Sequence, residues 1–533
     1  MATVTAPQQS VPPADDRSGL QPPVPDWLAR VPLWLVVGAV TLIVMAISAW
    51  LRTRYIGGQY WMDEGLSVGI SSHSLLSIPS VLRHDGSPPL YYLMLHVWMS
   101  VFGSSESATH ALSLVFALLC IPAGMWVAWS LFGRWAAAIA LVLFALNPFL
   151  TAYGQETRMY SLMAFLGLLA TLGFIQGFIY RRRGYLILFT VCQVLMLYTH
   201  LWGAFFGVGA FLAFLVVWRA SDDRRAILRD GLYVFGACAL LYLPWVPTLL
   251  YQATHTGSPW DSSPNFGAPV QISRNLMGGD RATVALVLIA GLGIASMIVP
   301  SKWRSRESLT LWALLILPIG ALGFGWIVSH VSPAWAYRYF APILGSLLLL
   351  ATLGFSRSKG LGVLGLILVI LFWANPSELT PHYKSDMRDI AGETGPRLHK
   401  GDLVILGQPE EVPLAWYYLP AGLRFANPMG TPHDPQSMNW VNALARLKAA
   451  NINNTVGPLI ARLKPNQQVL YVRPLTEGAQ NWESPWTQLV RRRSAQIGAL
   501  LASDPSLREV AWAPHNYRGS CCVANSALLF RKL

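Results

Sequence analysis

Most of the chain is a succession of long apolar runs separated by short polar loops. Crossing a bilayer as a helix takes roughly 17–25 mostly apolar residues. Runs of that kind fall at 33–51, 107–131, 136–153, 159–179, 185–200, 202–218, 231–251, 282–300, 309–329, 340–356 and, shorter, 361–374. The pattern therefore predicts an α-helical polytopic membrane protein of about eleven spans. Beyond 375 it changes. Leu403-Val404-Ile405-Leu406 and Gln468-Val469-Leu470-Tyr471-Val472 predict strands bounded by turn formers, and Val441 to Ala450 and Trp486 to Leu501 predict helices. About 155 residues are enough for a small α/β domain. The first ~30 residues are rich in Pro, Gln, Ser and Asp, with no apolar stretch before Val31, and read as a disordered tail, not a cleaved signal. The expected organisation is a cytoplasmic tail at 1–30, a transmembrane domain at 31–375 with a long first outer loop at 52–106, and a soluble extracytoplasmic domain at 376–533.

Charge fixes the orientation. Only 12% of the 533 residues are charged and 53% are hydrophobic, against about 25% charged in soluble proteins. The net charge of +13 lies mostly in short loops between runs, which argues against nucleic acid as a partner. With the N-terminus inside, Arg134, Arg181-Arg182-Arg183, Arg219 to Arg229, Lys302 to Arg306, Arg357 and Lys359 all fall on the inner face. The segments 52–106, 252–281 and 330–339 fall outside, and an odd number of spans puts 376–533 there too. Cys120, Cys192 and Cys238 lie in apolar runs and read as core residues. Adjacent Cys521 and Cys522 have no partners at zinc-ligand spacing.

Ionisable residues close to a bilayer are costly and mark function by default. Five such clusters gather on the outer face: Trp61-Met62-Asp63-Glu64-Gly65; His84-Asp85-Gly86-Ser87-Pro88-Pro89; Gln155-Glu156-Thr157-Arg158-Met159-Tyr160; Tyr198-Thr199-His200; and Tyr337-Arg338-Tyr339. Each has an ordinary structural reading as well. The Asp63-Glu64 pair could be a solvated loop, Asp85 the cap of the following helix, Glu156 and Arg158 a structural ion pair, His200 a packed residue, and Arg338 an interfacial anchor. Their common placement favours one site holding carboxylates, a His and two Arg. That inventory suits a substrate with an apolar tail and a phosphate head.

In the order and topology of these motifs the chain resembles the GT-C superfamily of glycosyltransferases, in particular the branch of protein O-mannosyltransferases and aminoarabinose transferases, over roughly 30–375. The resemblance implies a polyprenyl-phosphate sugar donor, with mannose or a pentose such as arabinose transferred to an extracytoplasmic glycan, lipid or protein. It places Asp63 and Glu64 as the catalytic pair, Asp63 the base on the acceptor hydroxyl and Glu64 or Asp85 orienting that acceptor. Asp85, Glu156, Arg158, Tyr160, His200, Arg338 and Tyr339 would bind substrate, the two arginines steadying the leaving phosphate. Many relatives carry His or Lys immediately before the Pro-Pro, where this chain has Ser87. The carboxylates are compatible with a divalent metal, but no spacing requires one. The high Ala, Arg, Pro and Trp content points to a GC-rich bacterial genome, where the resemblance implies a cell-envelope product. The competing class is a lipid-linked sugar flippase or transporter, which needs polar groups near the membrane midplane; here the span interiors are apolar. A third reading makes 376–533 a partner-binding module.

Overall fold

The computed structural model describes residues 32–298, 302–374, 384–475, 484–514 and 524–533. The 1–30 tail and Cys521-Cys522 lie outside the described residues. Among the described residues seven helices are long and apolar enough to cross a membrane: Trp34–Thr53, Glu106–Phe132, Tyr160–Ile179, Gly203–Ala220, Arg224–His255, Arg306–Val331 and Tyr337–Arg357. Their outward faces carry exposed apolar side chains such as Leu42, Leu240 and Ile319, as lipid contact requires. The protein is a multi-pass membrane protein.

Where the helices differ from the runs that predicted them, the backbone gives the reason. The run 136–153 is broken at Asn147-Pro148. The helix Arg134–Leu146 stops, and the Asn147 side chain caps the short helix Pro148–Tyr153 by accepting from the Leu150 N–H. The run 282–300 belongs to a bent pair, Ala268–Leu276 and Asp280–Ala295, which meet at 90°. Gly278 and Gly279 take φ of 85° and 100° at the bend, a region open to glycine. The runs 185–200 and 361–374 become the shorter helices Gly184–Thr199 and Lys359–Ala374. The loop 52–106 holds three helices of its own: Met62–Ser71, Ile78–Asp85 and Leu90–Phe102.

After residue 384 the chain forms an α/β lobe around a five-stranded sheet of order β2-β1-β3-β5-β4. Its strands are β1 Leu403–Leu406, β2 Arg424–Ala426, β3 Gln468–Leu475, β4 Leu507–Ala513 and β5 Ala524–Lys532. β1 is parallel to both β2 and β3, and β5 runs antiparallel to β3 and β4. Successive residues of β1 and β3 alternate between two apolar layers. Val404, Leu406 and Leu470 pack with Met387, Ile390 and Leu414; Leu403, Ile405 and Val469 pack with Ile460, Ile497 and Leu501. The strands at 403–406 and 468–472 and the helix Pro485–Ser503 fall where the sequence pattern predicts them.

The lobe docks on the first loop through the helix Met62–Ser71. Gly65 and Gly69 form a small-xxx-small stripe. A Cβ at Gly65 would sit 2.7 Å from the Leu414 Cα, and one at Gly69 2.1 Å from the Gln436 carbonyl oxygen. The His73 Nε2 lies 3.0 Å from the Asp434 carboxylate, and the Tyr60 N–H donates to the Tyr418 hydroxyl over 2.8 Å. This contact closes a cavity over the ends of the membrane helices.

Candidate functional site

The cavity holds about 530 Å³ and takes its walls from both parts of the molecule. Asp63, Asp85, Arg158, His200, Arg338 and Tyr339 line it from the membrane side, with Trp61 and Trp202. Gln408, Glu410, Trp440 and Thr487 line it from the lobe. Next to it lies an outer cleft of about 1250 Å³ beside the 254–265 segment, the two sharing Thr256, Gly257, Ser258, Trp260, Ser332 and Trp440 as lining.

Asp63 and Glu64 occupy the first turn of Met62–Ser71, where carboxylates favour the helix dipole. Adjacent helical residues point about 100° apart, and the two acids have separate surroundings. The Asp63 Oδ2 faces the cavity, 3.7 Å from Arg338 Nη2 and 3.9 Å from Arg158 Nη2. Its side chain keeps 24% of its surface exposed. Glu64 is fully buried, away from the cavity lining. It accepts from the Thr157 N–H at 2.7 Å, the Trp61 N–H at 3.2 Å and the Lys384 ammonium at 2.7 Å, and sits 2.6 Å from the His110 Nε2. Burial alone would raise its pKa, but Lys384 and His110 outweigh it and hold the carboxyl below its usual range. With its lone pairs engaged, Glu64 has nothing free for the catalytic role expected of it. It ties together the first loop, the helix Glu106–Phe132, the 154–159 turn and the lobe.

Asp85 does not take its alternative structural role as cap of the following helix. It is the last residue of Ile78–Asp85, closed by Gly86 at φ 105°, and Pro89 stands at the start of Leu90–Phe102. Asp85 is buried on the cavity wall. Burial raises its pKa to about 6, and hydrogen bonds from Ser87 and the Arg158 charge only partly offset this.

Arg158 and Glu156 form no ion pair. The Arg158 Nη1 donates to the Asp63 carbonyl and the Ser67 hydroxyl at 3.2 and 3.0 Å, while the Glu156 Oε1 accepts from the Trp61 indole at 2.9 Å. Glu156 is outside the cavity lining. Burial and then the Glu64 charge push its pKa up, against Lys384 and both arginines. Its role is to orient the Trp61 ring, over which the Arg338 guanidinium lies at 5.4 Å. Arg338 is the second residue of the 3-10 turn Tyr337–Ile343, and its Nε donates to the Tyr160 hydroxyl at 3.1 Å. Tyr160 thus supports the site from beneath. Tyr339 reaches the wall and packs against His200, ring centroids 5.0 Å apart.

His200 ends the helix Gly184–Thr199. Burial, then the charges of Arg158 and Arg338, lower its pKa to about 3, so the ring is neutral at pH 7. The Trp202 N–H donates to Nδ1 at 3.2 Å, which places the ring proton on Nε2. The site therefore offers two guanidiniums and a neutral imidazole N–H next to a carboxylate, a set that can hold a phosphoryl group beside a base. Among the described residues no group of three or more His, Cys, Asp or Glu could hold a metal ion.

Sequence reasoning missed His110, Lys384 and the four residues from the lobe. His110 carried a signal, being ionisable within the run 107–131. Lys384 and Glu410 carried none, because their positions depend on how the lobe docks.

No family model matches the chain, and no curated protein matches it. Among solved structures, ArnT from Cupriavidus metallidurans in the apo state aligns with a TM-score of 0.60 at 15% identity, covering 93% of this chain and 97% of that one. The same protein bound to undecaprenyl phosphate aligns at 0.58 and 15% identity, covering 93% and 98%. The chain shares the fold of that protein along nearly its whole length, lobe included.

Proposed function

We propose that the protein is a membrane glycosyltransferase that moves a sugar from a polyprenyl-phosphate donor to an acceptor hydroxyl. The observation that carries this reading is the Asp63 carboxylate held between Arg158 and Arg338 on a cavity wall, in a fold shared with a protein solved with undecaprenyl phosphate. The donor's phosphate takes the place between the two guanidiniums, with the His200 Nε2–H as a further donor. Asp63 accepts the proton of the acceptor hydroxyl as its oxygen forms a bond to the anomeric carbon. The bond from that carbon to the phosphate oxygen breaks, and its electron pair leaves on polyprenyl phosphate, stabilised by the arginines. Attack opposite the leaving group inverts the anomeric centre. Asp85 orients the acceptor, which enters through the outer cleft beside Trp260 and Trp440.

The basic loops support an N-terminus in the cytoplasm, with the cavity and lobe on the opposite face of the plasma membrane. Mannose or a pentose such as arabinose is the sugar we favour, with a glycan, lipid or protein of the envelope as acceptor. The test is release of undecaprenyl phosphate from radiolabelled undecaprenyl-phosphate sugars by purified protein. Turnover by wild type and its loss in Asp63→Asn is the expected result. Flipping of the lipid across vesicles without turnover would replace this reading with a transporter.

A further inference from the structure

We infer that the α/β lobe supplies the pocket for the donor's sugar, through the paired side chains of Gln408 and Glu410. This rests on the function proposed above and goes beyond it by assigning the sugar a wall of its own.

The placement follows from the sheet. β1 is the middle of the three parallel strands, and the turn beyond its carboxyl end carries Gln408 and the short turn Pro409–Glu411 to the cavity. Loops at the carboxyl ends of parallel strands are where α/β layers present ligand-binding groups. Both side chains are nearly inaccessible to solvent, Gln408 at 2% and Glu410 at 7% exposure.

Their hydrogen bonds leave a specific remainder. The Glu410 Oε1 accepts from the Trp486 indole at 2.9 Å and from the Gln408 Nε2 at 2.7 Å. That fixes both groups and commits the Gln408 amide N–H. The Glu410 Oε2 and the Gln408 Oε1 are buried with no hydrogen-bond partner among the described residues. Two buried acceptors on side chains bonded to each other, locked in place and unsatisfied, call for a ligand with neighbouring donors. Burial raises the Glu410 pKa, the bonds from Trp486 and Gln408 oppose it, and the Asp63 charge also registers there, so the group shares the cavity with Asp63.

Of the parts of a polyprenyl-phosphate sugar, only the sugar carries neighbouring O–H or N–H donors. The phosphate is an acceptor and the lipid has neither. Glu410 and Gln408 line the inner cavity but not the outer cleft, which favours the donor sugar over the acceptor.

The test measures binding of undecaprenyl phosphate and of undecaprenyl-phosphate mannose and arabinose to the full-length protein, for wild type, Glu410→Gln and Gln408→Ala. Glu410→Gln retains an oxygen for Trp486 while aiming an amide N–H where an acceptor stood. Melting temperature monitors folding. The expected result is wild-type preference for a sugar-bearing lipid over the bare lipid phosphate, reduced roughly 10- to 100-fold in Glu410→Gln and less in Gln408→Ala. Affinity for undecaprenyl phosphate should stay within about twofold, as expected when the arginine contacts are untouched. Equal weakening towards both lipids, or an unchanged preference, overturns the inference while leaving the glycosyltransferase reading standing. A wild type that binds neither lipid sinks the function proposed above and the sugar pocket with it.

Discussion

Asp63 and Glu64 are neighbours in sequence and opposites in surroundings. One faces a cavity with two guanidiniums at 3.7 and 3.9 Å, too far for firm hydrogen bonds, and retains solvent exposure. The other has no exposure and is held by two backbone N–H groups, a lysine and a histidine at 2.6–3.2 Å. A carboxylate that must take up a proton needs unfilled lone pairs and access to the reactant. One that joins four segments needs the reverse. The helix separates these tasks by rotating consecutive side chains about 100° apart, so a dipeptide can serve both.

The largest effect expected from this contrast is on turnover. Asp63→Asn should lower kcat by about 10²–10⁴-fold with little change in melting temperature, and donor affinity should hold or improve because the arginines lose a competing anion. A purified Asn variant with most of its activity removes Asp63 from the role. Breaking the neighbouring node should give an effect of like size in another observable. Lys384→Met strands a buried carboxylate and should cost about 3–5 kcal/mol of stability, read from denaturant or thermal unfolding. Its sign with pH is set by the lowered Glu64 pKa. The contribution is complete above the ordinary glutamate pKa of about 4.5 and is lost as pH falls through the folded value. Wild type and Lys384→Met should therefore converge in acid. If Lys384→Met instead abolishes turnover in a protein as stable as wild type, the division between the two acids is wrong.

A smaller effect should come from Arg338→Lys. The guanidinium stacks over Trp61 while its Nε is committed to Tyr160, and a lysine can reproduce neither contact. Loss of one charge-assisted contact to phosphate predicts roughly 10- to 100-fold weaker donor binding, measured with undecaprenyl phosphate itself. Unchanged affinity would assign Arg338 to anchoring alone.

How much of this was legible in the sequence depended on the range of the contacts. Among the described residues, seven of the eleven expected spans follow from apolar run length, a local property, and the five outer clusters were visible because a charge stands out in an apolar chain. The break at Asn147-Pro148 was also written locally, in a proline with a capping residue before it. The 90° bend at Gly278-Gly279 was not, since a Gly-Gly pair permits a turn without requiring it. Nor could the sequence rank Asp63 against Glu64. That difference rests on Lys384, more than three hundred residues away, and on the lobe docking through Gly65 and Gly69. The walls supplied by Gln408 and Glu410 were hidden for the same reason: a Glu after a short strand resembles any turn acid until the sheet is placed over the cavity.

Asp85 gives the smallest effect and probes the contrast from a third side, as an acid on the cavity wall that is buried like Glu64 but lacks a cationic clamp. Its pKa is raised to about 6, chiefly by burial. As a carboxylate orienting the acceptor it acts only when ionised, so kcat/KM should fall about tenfold per pH unit below pH 6, and Asp85→Asn should flatten that limb at a lower plateau. The stability sign is opposite to that of Glu64. A folded pKa above the ordinary 3.8 means the folded protein holds this proton more tightly than the unfolded chain. The stabilisation it confers is complete below pH 3.8 and disappears as pH rises through about 6. Asp85→Asn, which never ionises, should accordingly melt slightly above wild type at pH 7.5, and the gap should close at pH 4. An acid limb that survives unchanged in Asp85→Asn would belong to another group and would take Asp85 out of the acceptor's binding.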